Sequence, residues 1–305
     1  MTGFTSISDI DEKTNAIRKA IIHPDGSIQV KMEHWKYMNS LNIDILNIDY
    51  NVLCELPRFL MRTSIFPIDN YFHNLDSSHF FMWMAEIFSF RYDFNPDAMK
   101  RDSLFSRYFT SLLASQLYSI TSLSMENIPF YLREALGELS IFTACFAFAF
   151  LERCIRIKCS DFVGDDGLIL QDFDIPRYHR SDRKYVKGKY ISNISHEFKL
   201  LTFYVAIDDF KDRLIKFVNE LNEVSGHHLD DPFELISHWR NRLLHGENIW
   251  STGLDITTYL ICMILLDEIP GQIYNSKKDE LKDIIKFKQQ DNIRAHDLWY
   301  RFKIE

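Results

Sequence analysis

The stretch WRNRLLHGE, residues 239–247, sets an arginine, an asparagine and a histidine into a segment whose other residues have helical apolar spacing. Arg240 offers a permanent cation with a planar fork of donors. Asn241 adds an amide, and His245 an imidazole, the side chain that exchanges protons near neutral pH. Together these groups suit cleavage of RNA through its ribose 2′-hydroxyl. That reaction moves a proton off the attacking oxygen, delivers one to the leaving 5′-oxygen and neutralises charge on the phosphate. Histidine can transfer the protons, and arginine can brace phosphate oxygens with two parallel hydrogen bonds. The chemistry calls for no metal and no cofactor.

A single helix has to position all three. Asp231 reads as its N-cap, Pro232 as its first residue, and Glu234 completes an Asp-x-x-Glu capping box. Gly246 suits the C′ position that ends a helix. Phe233, Ile236, Leu243 and Leu244 define an apolar stripe with Arg240 in its middle. A guanidinium there is costly unless it reaches a partner or a groove. Asn241 and His245, four apart, are neighbours on the adjacent face.

The chain around this helix reads as mostly α. Apolar periodicity predicts helices over 102–120, 128–158 and 192–224, the last interrupted near Asp208-Asp209. Further helices are expected over 231–245, 255–269 and 278–302. Residues 1–95 read as a smaller α+β region, with a hairpin over 20–32 around Pro24-Asp25-Gly26 and helical patches between Asn42 and Phe90. The expected organisation is a sensor or accessory region over 1–95 and a helical domain over 96–305.

Composition agrees with a large helical core. Hydrophobic residues make up 46% of the 305 residues and 25 are phenylalanine, while 10 glycines and 8 prolines are too few for a turn-rich sandwich. A net charge of −8 argues against nonspecific capture of nucleic acid by the whole surface, though not against a local basic patch. The five cysteines have no paired metal spacing and read as buried thiols of a reducing compartment. The first residues lack the pattern of a signal peptide, and the most apolar stretch, 139–151, is too short to cross a bilayer. The expectation is a soluble, cytoplasmic protein that does not meet a membrane.

Residues 240–245, Arg-Asn-Arg-Leu-Leu-His, resemble the R-N-x-x-x-H signature of the HEPN superfamily, the higher eukaryotes and prokaryotes nucleotide-binding fold. The succession of helices over about 100–270 is similar as well, although only the short motif is specific. The resemblance implies a HEPN-like helical bundle and a metal-independent endoribonuclease of defence or toxin systems. It implies RNA as substrate and a homodimer in which two copies of the motif form a composite site. Arg240 and His245 would be the catalytic pair, with Asn241 orienting them or the RNA. A partner protein, such as an antitoxin or another defence component, belongs to the same expectation. Glu247 stands where members that are modified by a nucleotidyltransferase antitoxin carry a tyrosine, so that kind of modification is not expected.

A plainer reading stands beside it. Arg240 would pair with an acid inside the bundle and His245 would close the helix, leaving a noncatalytic module that binds a protein or a nucleotide. Residues 18–23, Arg-Lys-Ala-Ile-Ile-His, also match the bare spacing, but lack the asparagine and run into Pro24. Glu152 is placed to face Arg240, or to pair with Arg156 at i,i+4. The run RYHRSDRKYVKGKY, 177–190, interleaves basic residues with tyrosines. Arg177, Arg180, Arg183, Lys184 and Lys187 are its candidates for phosphate contacts; the competing reading is a solvated loop. No P-loop, dinucleotide fingerprint, zinc-spaced Cys/His cluster or nucleophile elbow occurs.

Overall fold

Ser6 caps the first helix, α1 (Ile7–Ile21), its hydroxyl accepting from the Asp9 amide at 3.2 Å. Ile10, Thr14, Ile17 and Ile21 recur at helical spacing and form its buried face. The computed structural model describes residues 3–29, 41–66, 70–71, 75–89, 130–178, 180–247 and 250–290. After α1 come α2 (Tyr50–Ser64), β1 (Ile65–Phe66), β2 (Asn70–Tyr71), α3 (Leu75–Ser89) and α4 (Phe130–Lys158). Then follow β3 (Phe173–Ile175), β4 (Arg183–Tyr185), α5 (Ile194–Leu200), a π-helical turn (Leu201–Val205) and α6 (Asp208–Val224). The last helices are α7 (Glu234–Leu244), α8 (Trp250–Leu266) and α9 (Gly271–Gln290). The protein is mostly α. Among the described residues, strands occur only as two short antiparallel pairs, β1–β2 and β3–β4.

The described residues of the N-terminal region are more helical than the sequence suggested. Of the expected hairpin over 20–32, residues 30–32 lie outside the described residues, and the described part forms one antiparallel bridge, Ile22↔Ile28, turning at Gly26 with φ 80°. Fully buried Ile21 explains the difference, because the apolar face of α1 runs to that residue and keeps it in the helix. The expected helix over 102–120 lies outside the described residues. The helix expected over 192–224 is broken as anticipated, and more sharply. Ala206 donates to the Leu201 carbonyl at 2.7 Å, an i→i−5 bond, and Asp208 restarts the chain at φ 43°. The final helix begins seven residues before the expected 278, because the Pro270 carbonyl accepts from Ile273 and Tyr274 at 2.9 and 3.1 Å.

The core is continuous from Ile10 to Leu281. Helices α4 and α8 pack along each other more extensively than any other pair, and α2 rests on α1, α6, α8 and α9. The expected boundary near residue 95 falls among undescribed residues, and the described residues on either side of it share this core. Polar bonds lock the layers inside it: Trp83 Nε1 donates to Tyr274 at 3.0 Å, and the Tyr259 hydroxyl to Ser77 at 2.6 Å. No single helix among the described residues is long and apolar enough to cross a membrane.

Arg62 is the buried tie of the N-terminal half. It is 6% exposed and pairs with Asp11 of α1 and Glu220 of α6. Removing it leaves Asp11 without its cation and leaves Glu220 with Arg58 alone. We expect Arg62→Ala to cost about 2–4 kcal/mol in urea unfolding, with Arg62→Lys recovering only part, since an ammonium lacks the fork that serves both acids.

Candidate functional site

The end of α7 is fixed by backbone chemistry. His245 is the last half-helical residue, and its amide donates to the Asn241 carbonyl at 3.0 Å. Gly246 follows at φ 81°, with its amide on Leu243 O and the Glu247 amide on Arg242 O, both at 3.0 Å. This pair of bonds is a Schellman closure, and it satisfies carbonyls that the helix cannot. Both His245 and Asn241 are exposed, so the closure presents the imidazole to solvent.

The start of the helix differs from the expectation. The regular helix begins at Glu234, and residues 231–233 form a turn. No capping box forms, because both carboxylates are engaged elsewhere. Asp231 pairs with buried Lys199 and accepts from the Phe233 amide at 3.3 Å, while Glu234 accepts from Ser195 Oγ at 3.0 Å.

The apolar stripe is also rotated from the expected one. Leu235, Ile236, Trp239 and Leu243 are its buried residues, and Leu244 is 54% exposed. Three neighbours set that arc, since α7 packs on α4, α5 and α8. Arg240 therefore stands on the flank of the stripe rather than in its middle. Its side chain keeps 29% of its surface, and Nε lies 3.0 Å from Glu152 Oε1 of α4.

Glu152 in turn connects Arg240 to a deeper pair. Its other carboxylate oxygen is 3.8 Å from Arg156 Nη2, one turn further along α4. Arg156 is held mainly by Glu197 of α5, to which it donates from Nη2 at 2.7 Å and Nε at 3.2 Å. Its Nη1 donates to the Asp165 carbonyl at 3.2 Å. Four side chains from three helices thus alternate in sign: Arg240, Glu152, Arg156, Glu197. Glu197 is 2% exposed, and its Oε2 has no hydrogen-bond partner. Burial pushes its carboxyl up to about 7, against the pull of Arg156.

The basic run is built as a small hairpin, with Ile175 opposite Arg183 and Phe173 opposite Tyr185. Arg180, Arg183, Lys184 and Lys187 are exposed and Arg177 is half-buried. Tyr185 is not free to stack on a base. It lies under Arg183, stacks on Phe173 with centroids 5.1 Å apart, and shares a 2.5 Å hydrogen bond with His196 Nδ1. His196 Nε2 lies 3.6 Å from Glu234, at the first turn of α7. The hairpin is therefore joined to the opposite end of α7 from His245, about 16 Å away along the helix at 1.5 Å per residue. The structure brings Arg240 to Glu152 but does not bring the strand residues of the basic run to His245.

Sequence reading raised Glu152 and Arg156 and missed Glu197. An acid in a wholly buried turn of helix carries no local signal of what it faces. The cysteines are free; Cys54, Cys154, Cys159 and Cys262 are buried. Among the described residues, no group of three or more His, Cys, Asp or Glu is placed to hold a metal ion. No family model, curated protein or solved structure matches the chain.

Two outcomes follow from this geometry. Gly246→Ala should cost about 1 kcal/mol in thermal unfolding, because an L-residue resists the left-handed backbone. Burial, assisted by Arg183 and Lys199, pushes His196 down to about 4 from 6.5. Neutral His196 therefore contributes fully above pH 6.5, and its contribution is lost as pH falls through that window. The stability gap between wild type and His196→Gln should be larger at about pH 7.5 than at about pH 5.

Proposed function

We propose that the chain is a metal-independent endoribonuclease with a HEPN-like helical bundle, acting as a cytoplasmic homodimer in a defence or toxin system. The reading rests on one observation above the others: His245 is solvent-exposed at a backbone-closed helix end, little more than one turn from an arginine held by a carboxylate. In this reading His245 moves protons between the 2′-hydroxyl, the leaving 5′-oxygen and water. Arg240 neutralises the phosphate as charge builds on it, and Asn241 orients the RNA or the catalytic pair. Glu152 limits the rotamers of Arg240, so less freedom is lost when phosphate arrives. Two copies of the motif meeting across a dimer would supply the acid and the base. The exposed residues Arg180, Arg183, Lys184 and Lys187, with Arg177, would then contact RNA away from the cut.

A second reading has an observation in its favour. The Arg240–Glu152 pair lies within one chain, as a purely structural arginine would be paired. The helical unit would then be a noncatalytic module for a partner protein or a nucleotide.

The assay that separates them is cleavage of single-stranded RNA in EDTA. Wild type is expected to yield 2′,3′-cyclic phosphate and 5′-hydroxyl ends and to leave the 2′-deoxy analogue intact. His245→Ala and Arg240→Ala should each lower the rate by about 10²-fold or more. Cleavage undiminished in both variants sinks the ribonuclease reading. Light scattering of the wild type should report a dimer.

A further inference from the structure

Arg156 stands between two carboxylates and is shared unequally. Glu197 takes two of its donors at 2.7 and 3.2 Å, while Glu152 is 3.8 Å away and turned to Arg240 at 3.0 Å. With both acids ionised, the two cations and two anions cancel. The buried Oε2 of Glu197, without a partner, is where a proton can be carried. Resting on the ribonuclease reading, we propose that Glu197 is a positioning residue whose proton sets how firmly Glu152 holds Arg240, so that protonation releases Arg240 toward an RNA phosphate.

The physical sequence is short. A proton on Glu197 removes the main counter-ion of Arg156. The nearest remaining carboxylate is Glu152, at i,i+4 on the same helix. Arg156 then competes with Arg240 for Glu152, and the network carries one net positive charge. Both effects favour an anion at the exposed edge of Arg240. By reciprocity, a bound phosphate makes protonation of Glu197 easier, and binding takes up a proton. Burial raises the Glu197 carboxyl to about 7, which puts the exchange near neutral pH.

The groups facing Glu197 come from every element around it. Glu152, Arg156 and the Cys159 thiol face it from α4, Arg240 from α7 and Tyr185 from β4. Asp166 acts on Arg156 from the loop after α4. On its own helix, Lys199 is committed to Asp231, and His196 to Tyr185. None of these other side chains reaches the unpartnered oxygen with a hydrogen bond.

The test labels arginines with phenylglyoxal and follows each site by peptide mass spectrometry. The Arg240 rate is divided by that of exposed Arg180, which cancels the reagent's own pH dependence. In wild type the ratio should rise about two- to fivefold from pH 8 to pH 6, the range expected for loosening a partly exposed ion pair. Glu197→Gln, which mimics the neutral acid, should hold the high ratio at both pH values. A wild-type ratio that stays flat between pH 8 and pH 6 overturns the proposal, whatever the variant does. Cleavage of RNA in EDTA is measured on the same samples. A shifting ratio without cleavage removes the ribonuclease reading and leaves the proton-controlled hold on Arg240. Cleavage with a flat ratio removes the proton control and leaves the ribonuclease.

Discussion

A charge taken out of water must meet its opposite within hydrogen-bonding distance, and this chain is organised around such meetings. Arg62 joins α1, α2 and α6; Lys199 fastens α5 to the turn before α7; Lys158 fastens α4 to Asp267 beyond α8. Each of these cations is at most 18% exposed at its side chain, so its partner carboxylate is required rather than incidental. Arg156 and Arg240 follow the same rule with one difference. Their carboxylates form a row in which the two middle ions, Glu152 and Arg156, each have two neighbours of opposite sign. A row can shift its pairing, whereas an isolated buried pair can only break.

The position of that row gives α7 two unlike ends. Its first turn is held in polar bonds to Ser195 and lies beside His196 under the small hairpin. Its last turn is closed by its own backbone and by the Arg242–Glu247 ion pair, and His245 and Asn241 project where nothing described covers them. His245 at the open end and the basic strand of the hairpin are therefore separated by the length of one short helix.

Much of this was readable in advance where the cause is local. The glycine after His245 announced the Schellman closure, because few other residues accept a left-handed backbone at low cost. The interruption near Asp208 was visible as a lapse in periodicity. Helix α1 went unread, although Ile10, Ile17 and Ile21 recur at helical spacing, and the turn signal at Pro24-Asp25-Gly26 was read as a hairpin. The capping box at Asp231 failed because Lys199, distant in sequence, claimed the carboxylate. Leu244 was counted as core and Trp239 was not. The buried arc of α7 is set by the three helices around it rather than by its own residue types.

The sequence by itself determined that the chain is mostly helical, that one helix carries Arg240, Asn241 and His245, and that this helix stops with the histidine at its rim. Those properties depend on side-chain period and on one glycine's φ, both of which act over a few residues. Only the tertiary structure decided that Arg240 is paired with Glu152, that Arg156 stands behind it, and that Glu197, 41 residues from Arg156, ends the row with an unpartnered oxygen. Electrostatic partners are chosen by distance in space and by exclusion of water. Neither is written in the spacing of residues along the chain.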